Sequence, residues 1–424
     1  MFLNVKNTGK LSTAQIEIKG ITVIAGVNNT GKSTIGKILF CIFNSFYKID
    51  QQIERERSNI ISEIIVSQYN ETENKFTRRF DGDELAEYII NKKASFGNIE
   101  GLAEDIRNFY IQGDKNVEKY LNDDFILRMS EKIMRILSIS DDEIFVTVLR
   151  RRLHAEFSMQ MNSIYNSKVS SEITLIIKNK EVKISILDDE YIKIDNRLSL
   201  NTEVIYMDDP FALDDLQTSI LGVQNHREHL KIKLLTNKND SLVKDAIDEI
   251  ITTKKLDAVF AKLNNVCTGE LTKLPNRPRF AVAYREGDSD AALDIKNVSA
   301  GLKTFVILKT LLLNGSLEEN GIIVLDEPEI HLHPEWQLIF AEIIILLQRE
   351  FNMHILLNTH SPYFLDAIDV YSQKYGISGK CKYYLAEDCN GIASISDVSD
   401  NLEKLYAKLA KPLQKLENER YQND

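Results

Sequence analysis

The run Gly26-Val27-Asn28-Asn29-Thr30-Gly31-Lys32-Ser33 has the spacing G-x-x-x-x-G-K-[ST], which suits a triphosphate. Its two glycines let the backbone curl so that N–H groups face the β- and γ-phosphates, at the positive end of the helix that follows. Lys32 is placed to neutralise phosphate charge and the Ser33 hydroxyl to ligate Mg2+. Gly26, Asn28, Asn29, Thr30, Gly31, Lys32, Ser33 and Thr34 are therefore the expected ATP contacts. Far along the chain, Ile322-Ile323-Val324-Leu325 runs into Asp326-Glu327. Four apolar residues before a carboxylate put Asp326 at the carboxyl end of a central strand, where open α/β sheets place ligands, to hold Mg2+ directly or through water. Glu327 is then placed to orient or deprotonate the attacking water.

These residues need elements to position them. The first 46 residues read as strands over Phe2 to Lys6, Gln15 to Lys19 and Ile21 to Ala25, then an apolar-periodic helix from Lys32 to Phe46. Residues 47–171 are helical in pattern and read as an insertion, with Val117, Tyr120, Leu121, Phe125, Met129, Ile133, Ile136 and Leu137 as a stripe packing its own lobe. From Glu172 to Asp195 the pattern becomes an antiparallel meander, followed by a strand over Glu203 to Met207. Helical character resumes from Leu216 to Val266, and 278 to 298 return to strand. The remainder alternates helix and strand, arguing for a mostly parallel sheet covered by helices. The expected organisation is an ATPase domain from 1–46 and 172–400, the helical insertion at 47–171, and a C-terminal helix at 401–424. The fold class is α/β, a mixed sheet flanked by helices with an inserted helical lobe.

Composition bounds the partners. Across 424 residues, 52 basic and 63 acidic side chains leave a net charge of -11, which opposes non-specific attraction to a phosphate polymer. Asp208-Asp209 and Asp214-Asp215 read as solvated loops. No apolar run approaches the roughly 20 residues that span a bilayer, and no signal-peptide pattern opens the chain, so the expected location is cytoplasmic and away from membranes. Cys41, Cys267, Cys381 and Cys389 form no zinc pattern and read as reduced and structural.

Two further phrases make a family resemblance specific. Asn297-Val298-Ser299-Ala300-Gly301-Leu302-Lys303 looks like the signature loop of ABC-type ATPases, and Leu356-Leu357-Asn358-Thr359-His360-Ser361-Pro362 resembles their switch strand. The phrase Asp326-Glu327-Pro328-Glu329-Ile330-His331-Leu332-His333-Pro334 is similar to that of RecF, the SMC-like ATPases and, most closely, the OLD family and the PtuA ATPases of Septu anti-phage systems. The resemblance is strong over 1–46 and about 290–370, and elsewhere matches only in layout.

It implies a head-to-tail homodimer, or a higher oligomer, in which Ser299 and Gly301 bind the γ-phosphate held by Lys32 of a second subunit. It also implies that His360 contacts the γ-phosphate. Glu329, His331 and His333 then belong to a loop facing the dimer partner rather than to a metal site. The strand before Asp208-Asp209 resembles the segment with the Q-loop function, for which Gln68 and Gln217 are weak candidates. The 64 residues after His360 are expected to be too few for the Toprim nuclease of OLD enzymes. The implied function is an ATPase that regulates a separate, HNH-type nuclease, with DNA reached through the complex. The alternatives are a RecF- or SMC-like DNA-binding repair ATPase and a slow-turnover, ATP-gated scaffold.

Overall fold

Three largely apolar stretches, Ile21–Gly26 (β3), Ile322–Asp326 (β11) and His354–Thr359 (β12), are buried on both faces along nearly all their length and form the centre of an 11-stranded sheet. β3 pairs in parallel with β12 and β12 with β11, in a register that sets Ala25 beside Thr359 and Asp326 beside Asn358. Gly26, Asp326 and His360 therefore leave the sheet at one edge. β7 (Val204–Met207) continues the parallel run beyond β11, and β13 (Cys381–Cys389) flanks β3 on its other side. Asn44 closes the outer side of β7, donating to the Val204 carbonyl at 2.9 Å and accepting its N–H at 2.7 Å.

The computed structural model describes residues 1–71, 82–113, 122–165, 168–216, 225–236, 246–273, 282–287 and 292–421. The chain divides into two compact units. The first comprises Met1–Asn44, Arg150–Leu198 and Thr202–Asp424 and holds the large sheet. Its far half is antiparallel: β1 (Phe2–Thr8) lies between β2 (Leu11–Glu17) and β4 (Ser171–Ile177), with β5 (Lys180–Leu187) and β6 (Tyr191–Ile194) beyond. β14 (Ile392–Asp397) turns back antiparallel on β13 and joins β2 in parallel. The sheet is thus mixed, as expected overall, but the mostly parallel character read from the C-terminal alternation holds only around β3. The reason is that the meander buries one face and alternates, whereas β3, β11 and β12 bury both.

Helix α1 (Lys32–Phe46) springs from the loop after β3. On the sheet pack α7 (His226–Leu235), α8 (Ala246–Leu263), α9 (Ala300–Leu313), α10 (Pro334–Phe351), α11 (Pro362–Lys374) and α12 (Glu403–Tyr421). α9 and α10 meet through Phe305 and Phe340, edge to face at 5.4 Å. Leu325, fully buried between these layers, would cost about 2–5 kcal/mol if cut to Ala. A smaller sheet orders as β10 (Ala292–Asp294), β9 (Val282–Arg285) and β8 (Glu270–Lys273).

The second unit, Ser45–Leu149 with Ser199–Asn201, is helical: α2 (Ile49–Glu71), α3 (Gly82–Asn91), α4 (Ile99–Gly113), α5 (Asp123–Ser138) and the first half of α6 (Asp141–Phe157). Its own core gathers Ile61, Leu85, Ile89, Leu102, Ile106, Met129 and Ile133. Of the stripe read from the sequence, Met129 and Ile133 are buried in this core, and Phe125, Ile136 and Leu137 pack against it. Val117, Tyr120 and Leu121 lie outside the described residues, as do parts of the segments read as helix before Val266 and as strand from 278.

Candidate functional site

The turn from β3 into α1 wraps a cleft of about 310 Å3 lined by Lys10, Asn28, Asn29, Thr30, Gly31, Lys32, Ser33, Thr34 and Glu327. Gly31 holds φ +80°, a left-handed backbone that favours glycine. A side chain at Gly26 would strike the Ala386 carbonyl of β13 at 2.3 Å. Thr30 Oγ1 ties the loop by donating to the Val27 carbonyl at 2.8 Å. No acidic residue sits in the first turn of α1, so its N-terminal partial charge is left for an anion. Lys32, 4% exposed, donates to the Gly26 and Val27 carbonyls, both at 3.0 Å, and its Nζ stands 3.5 Å from Glu327 Oε1. Lys10, which no motif singled out, lines the same cleft and pairs with Asp388 at 3.7 Å.

At the end of β11 the two carboxylates differ. Asp326 is buried, with Oδ2 accepting from the Tyr206 hydroxyl at 2.6 Å and Oδ1 from Asn358 Nδ2 at 2.9 Å. Burial, and then the Asp326 charge, push the Tyr206 phenol well above its ordinary range, so it stays a donor. Glu327 turns the other way, at φ +52°, fixed by its N–H donating to the Asn358 carbonyl at 2.9 Å. Its Oε1 lies 3.3 Å from His360 Nδ1 as well as 3.5 Å from Lys32. Behind it Glu329 accepts the Thr359 hydroxyl, which in turn accepts the Ser361 N–H at 3.0 Å. Burial raises the Glu329 pKa, opposed by the Thr359 hydrogen bond.

Sequence-derived residues from three distant segments thus meet: the loop of Lys32, the pair Asp326-Glu327, and His360. Ser299 and Gly301 do not line this cleft. Ser299 caps α9, accepting from Leu302 N–H at 3.4 Å, and lines a separate cleft of about 550 Å3 with Tyr284, Leu293, Val298 and Leu302. Gly301 packs against the loop after β11, where a Cβ would fall 2.7 Å from the His331 carbonyl. Ser33 and Asp326 offer hard oxygen donors of the kind Mg2+ takes, and each Asp326 oxygen keeps an acceptor position beyond its one bond.

Of the acidic pairs read as solvated loops, Asp215 is exposed as expected, whereas Asp208 and Asp214 are paired. Asp208 Oδ2 lies 3.0 Å from His226 Nε2 and 2.9 Å from Arg227, and Asp214 lies 2.6 Å from the buried Lys303. Such pairing needs cations from α7 and α9 that lie far away in sequence. Burial alone would lower the His226 pKa, but Asp208 and Glu156 on either side raise it. Burial would likewise raise the Asp208 pKa, yet His226 and Arg227 bring it down to about 2.

No cluster of three metal-ligating side chains occurs among the described residues. His331 meets the Phe211 ring edge-on at 5.6 Å, and His333 precedes α10 without a capping bond from its side chain. Gln68 is buried on α2 in the helical unit, and Gln217 lies outside the described residues. Cys41, Cys267 and Cys381 are buried and Cys389 exposed, all free. Among the described residues no helix is long and apolar enough to cross a membrane.

The chain is 37% identical over 107 residues to the retron Vc95 probable ATPase of Vibrio cholerae serotype O1 biovar El Tor, across 23% of this chain and 20% of that one. It is 28% identical over 173 residues to the retron Ec83 probable ATPase of Escherichia coli, across 37% of this chain and 31% of that one. The matched segments therefore span about a fifth to a third of those relatives. Among solved structures, the Smc head bound to the C-winged helix domain of ScpA superposes with 12% identity and a TM-score of 0.44, over 95% of this chain and 98% of that one. The SMC head domain from Thermotoga maritima does so with 11% identity and a TM-score of 0.37, over 94% and 98%. Residues 1–365 match the family described as AAA ATPase domain, and with most of its length matched the chain belongs to that family.

Proposed function

We propose that the protein binds and slowly hydrolyses ATP with Mg2+ at a composite site between two head-to-tail copies, and that this ATP-gated assembly regulates a separate nuclease. The single observation that carries the reading is that Lys32 and Glu327 line one cleft, with His360 against Glu327 at 3.3 Å, while Ser299 lines another. In this reading the backbone N–H groups from Asn28 to Thr34 cradle the phosphates, and Lys32 exchanges Glu327 for phosphate oxygens. Ser33 and Asp326 would hold a Mg2+, which would supply charge neutralisation for the phosphates. Glu327, released from Lys32, orients and deprotonates the attacking water, with His360 beside the γ-phosphate. Ser299 and Gly301, at the N-terminal end of α9, close over the γ-phosphate bound to the partner copy.

Glu327→Gln is expected to keep ATP binding, lose turnover and accumulate an ATP-dependent dimer in light scattering. A mass that stays monomeric with ATP would overturn the composite site. The resemblance to Septu PtuA ATPases, together with the similarity to retron ATPases, supports a cytoplasmic role in anti-phage defence with an HNH-type partner that brings DNA to the complex. Co-expression with such a nuclease tests this. Co-purification and ATP-dependent change in nuclease activity are expected, and separate elution with unaltered nuclease activity would sink the regulatory part while sparing the ATPase.

A further inference from the structure

Tyr206 is a fully buried phenol behind Asp326 that no motif assigned. From β7 it reaches across to β11, and its hydroxyl donates to Asp326 Oδ2 at 2.6 Å. Its seat is fixed from several sides. The His226 ring lies with its centroid 4.5 Å away, tilted by 43°. His226 is itself clamped, Nδ1 2.6 Å from Glu156 Oε1 and Nε2 3.0 Å from Asp208 Oδ2, with Lys37 3.5 Å from Glu156. On α1 the absence of a side chain at Gly36 makes room: a Cβ there would stand 2.8 Å from the Tyr206 ring and 3.3 Å from its hydroxyl.

A carboxylate turns broadly about its last torsion unless both oxygens are engaged. Here Asn358 holds Oδ1 and Tyr206 holds Oδ2, each using one acceptor position. We infer that Tyr206 is a positioning residue for the magnesium site: its hydroxyl locks the rotation of the Asp326 carboxylate, so that Asp326 meets the metal in one orientation. The inference rests on reading Asp326 as the magnesium carboxylate. An unheld Asp326 would rotate into alternatives that serve the metal less well, so losing the hydroxyl weakens metal binding even though it frees an oxygen.

The test uses the full chain, ADP, and Mn2+ as a spectroscopic probe of the metal, read by electron paramagnetic resonance rather than by turnover. Tyr206→Phe is expected to weaken Mn2+ binding in the presence of ADP about tenfold, the effect of one hydrogen bond to a charged group. ADP binding in excess chelator should be unchanged, with thermal unfolding confirming that the variant is folded. Unchanged or tighter Mn2+ binding by the folded variant overturns the inference. Should Tyr206→Phe not fold, 3-fluorotyrosine at position 206 keeps the hydroxyl and makes it a more acidic donor while adding only one fluorine to the ring. A shifted Mn2+ affinity is then expected, and an unshifted one overturns the inference. Wild type and Asp326→Ala measured alongside separate the two readings: if they bind Mn2+ alike, the assignment of Asp326 fails, whereas a difference between them with Tyr206→Phe matching wild type removes only the role of Tyr206.

Discussion

Glu327 faces two nitrogen-bearing side chains at once, Lys32 at 3.5 Å and His360 at 3.3 Å, from a backbone in the left-handed region. That conformation costs a non-glycine residue about 1–3 kcal/mol and persists where the surroundings over-determine it, here through the Glu327 N–H donating to the Asn358 carbonyl. Two residues on, Glu329 is 2% exposed, with Oε1 on the Thr359 hydroxyl and, among the described residues, no hydrogen-bond partner for Oε2. Because burial raises its pKa, the folded state holds this proton more tightly than the unfolded chain. Its contribution to stability is fully present below the ordinary carboxylate value of 4.5 and is lost as pH rises through the raised value. Glu329→Gln lacks that loss and keeps an oxygen for Thr359. Relative to wild type its thermal midpoint should rise as the pH is taken above 4.5. Parallel melting curves across that range would show that Glu329 ionises freely in the fold.

At the scale of elements, the placement of α1 matters most, because it carries Lys32 at its start and Gly36 one turn later. Gly36 lets the helix approach β7 and β11 so closely that a Cβ would meet both Tyr206 and Val324 at 2.8 Å. Both neighbours are fully buried and have nowhere to go. Gly36→Ala should therefore cost about 1–3 kcal/mol by overpacking, although alanine favours an isolated helix. A lowered thermal midpoint together with weakened nucleotide binding is expected. A stabilised variant, following helix propensity alone, would show that the helix can withdraw from the sheet at no cost. α9 and the turn Pro210–Leu213 form a second fixed pair, with Lys303 against Asp214 at 2.6 Å and over the Phe211 ring at 5.1 Å. Through this pair the segment following Tyr206 is joined to the helix that Ser299 caps.

At the scale of the whole molecule, the composite reading predicts complementation. Lys32→Ala removes the phosphate-binding cation, and Ser299→Arg blocks the surface that would close over a partner's nucleotide; each alone should abolish turnover. Mixed in equal amounts, random pairing of a symmetric dimer leaves one intact site in half of the dimers, so about a quarter of wild-type ATPase activity should return. A mixture as inactive as its components would mean that Ser299 serves its own chain. Steady-state phosphate release checks this directly.

The sequence by itself determined the glycine loop between β3 and α1, the strand ending in Asp326-Glu327, the serine that opens α9, and the alternation that makes an α/β sheet. These are legible because each depends on local spacing: glycines where a loop must curl, apolar runs where a strand is buried on both faces, and a serine where a helix begins. Only the tertiary structure decided which side chains converge. Tyr206 on Asp326, His226 between Glu156 and Asp208, and Lys303 on Asp214 join residues 120, 70 and 89 positions apart. No periodicity records such pairings, because a hydrogen bond constrains two points in space and leaves the length of chain between them free.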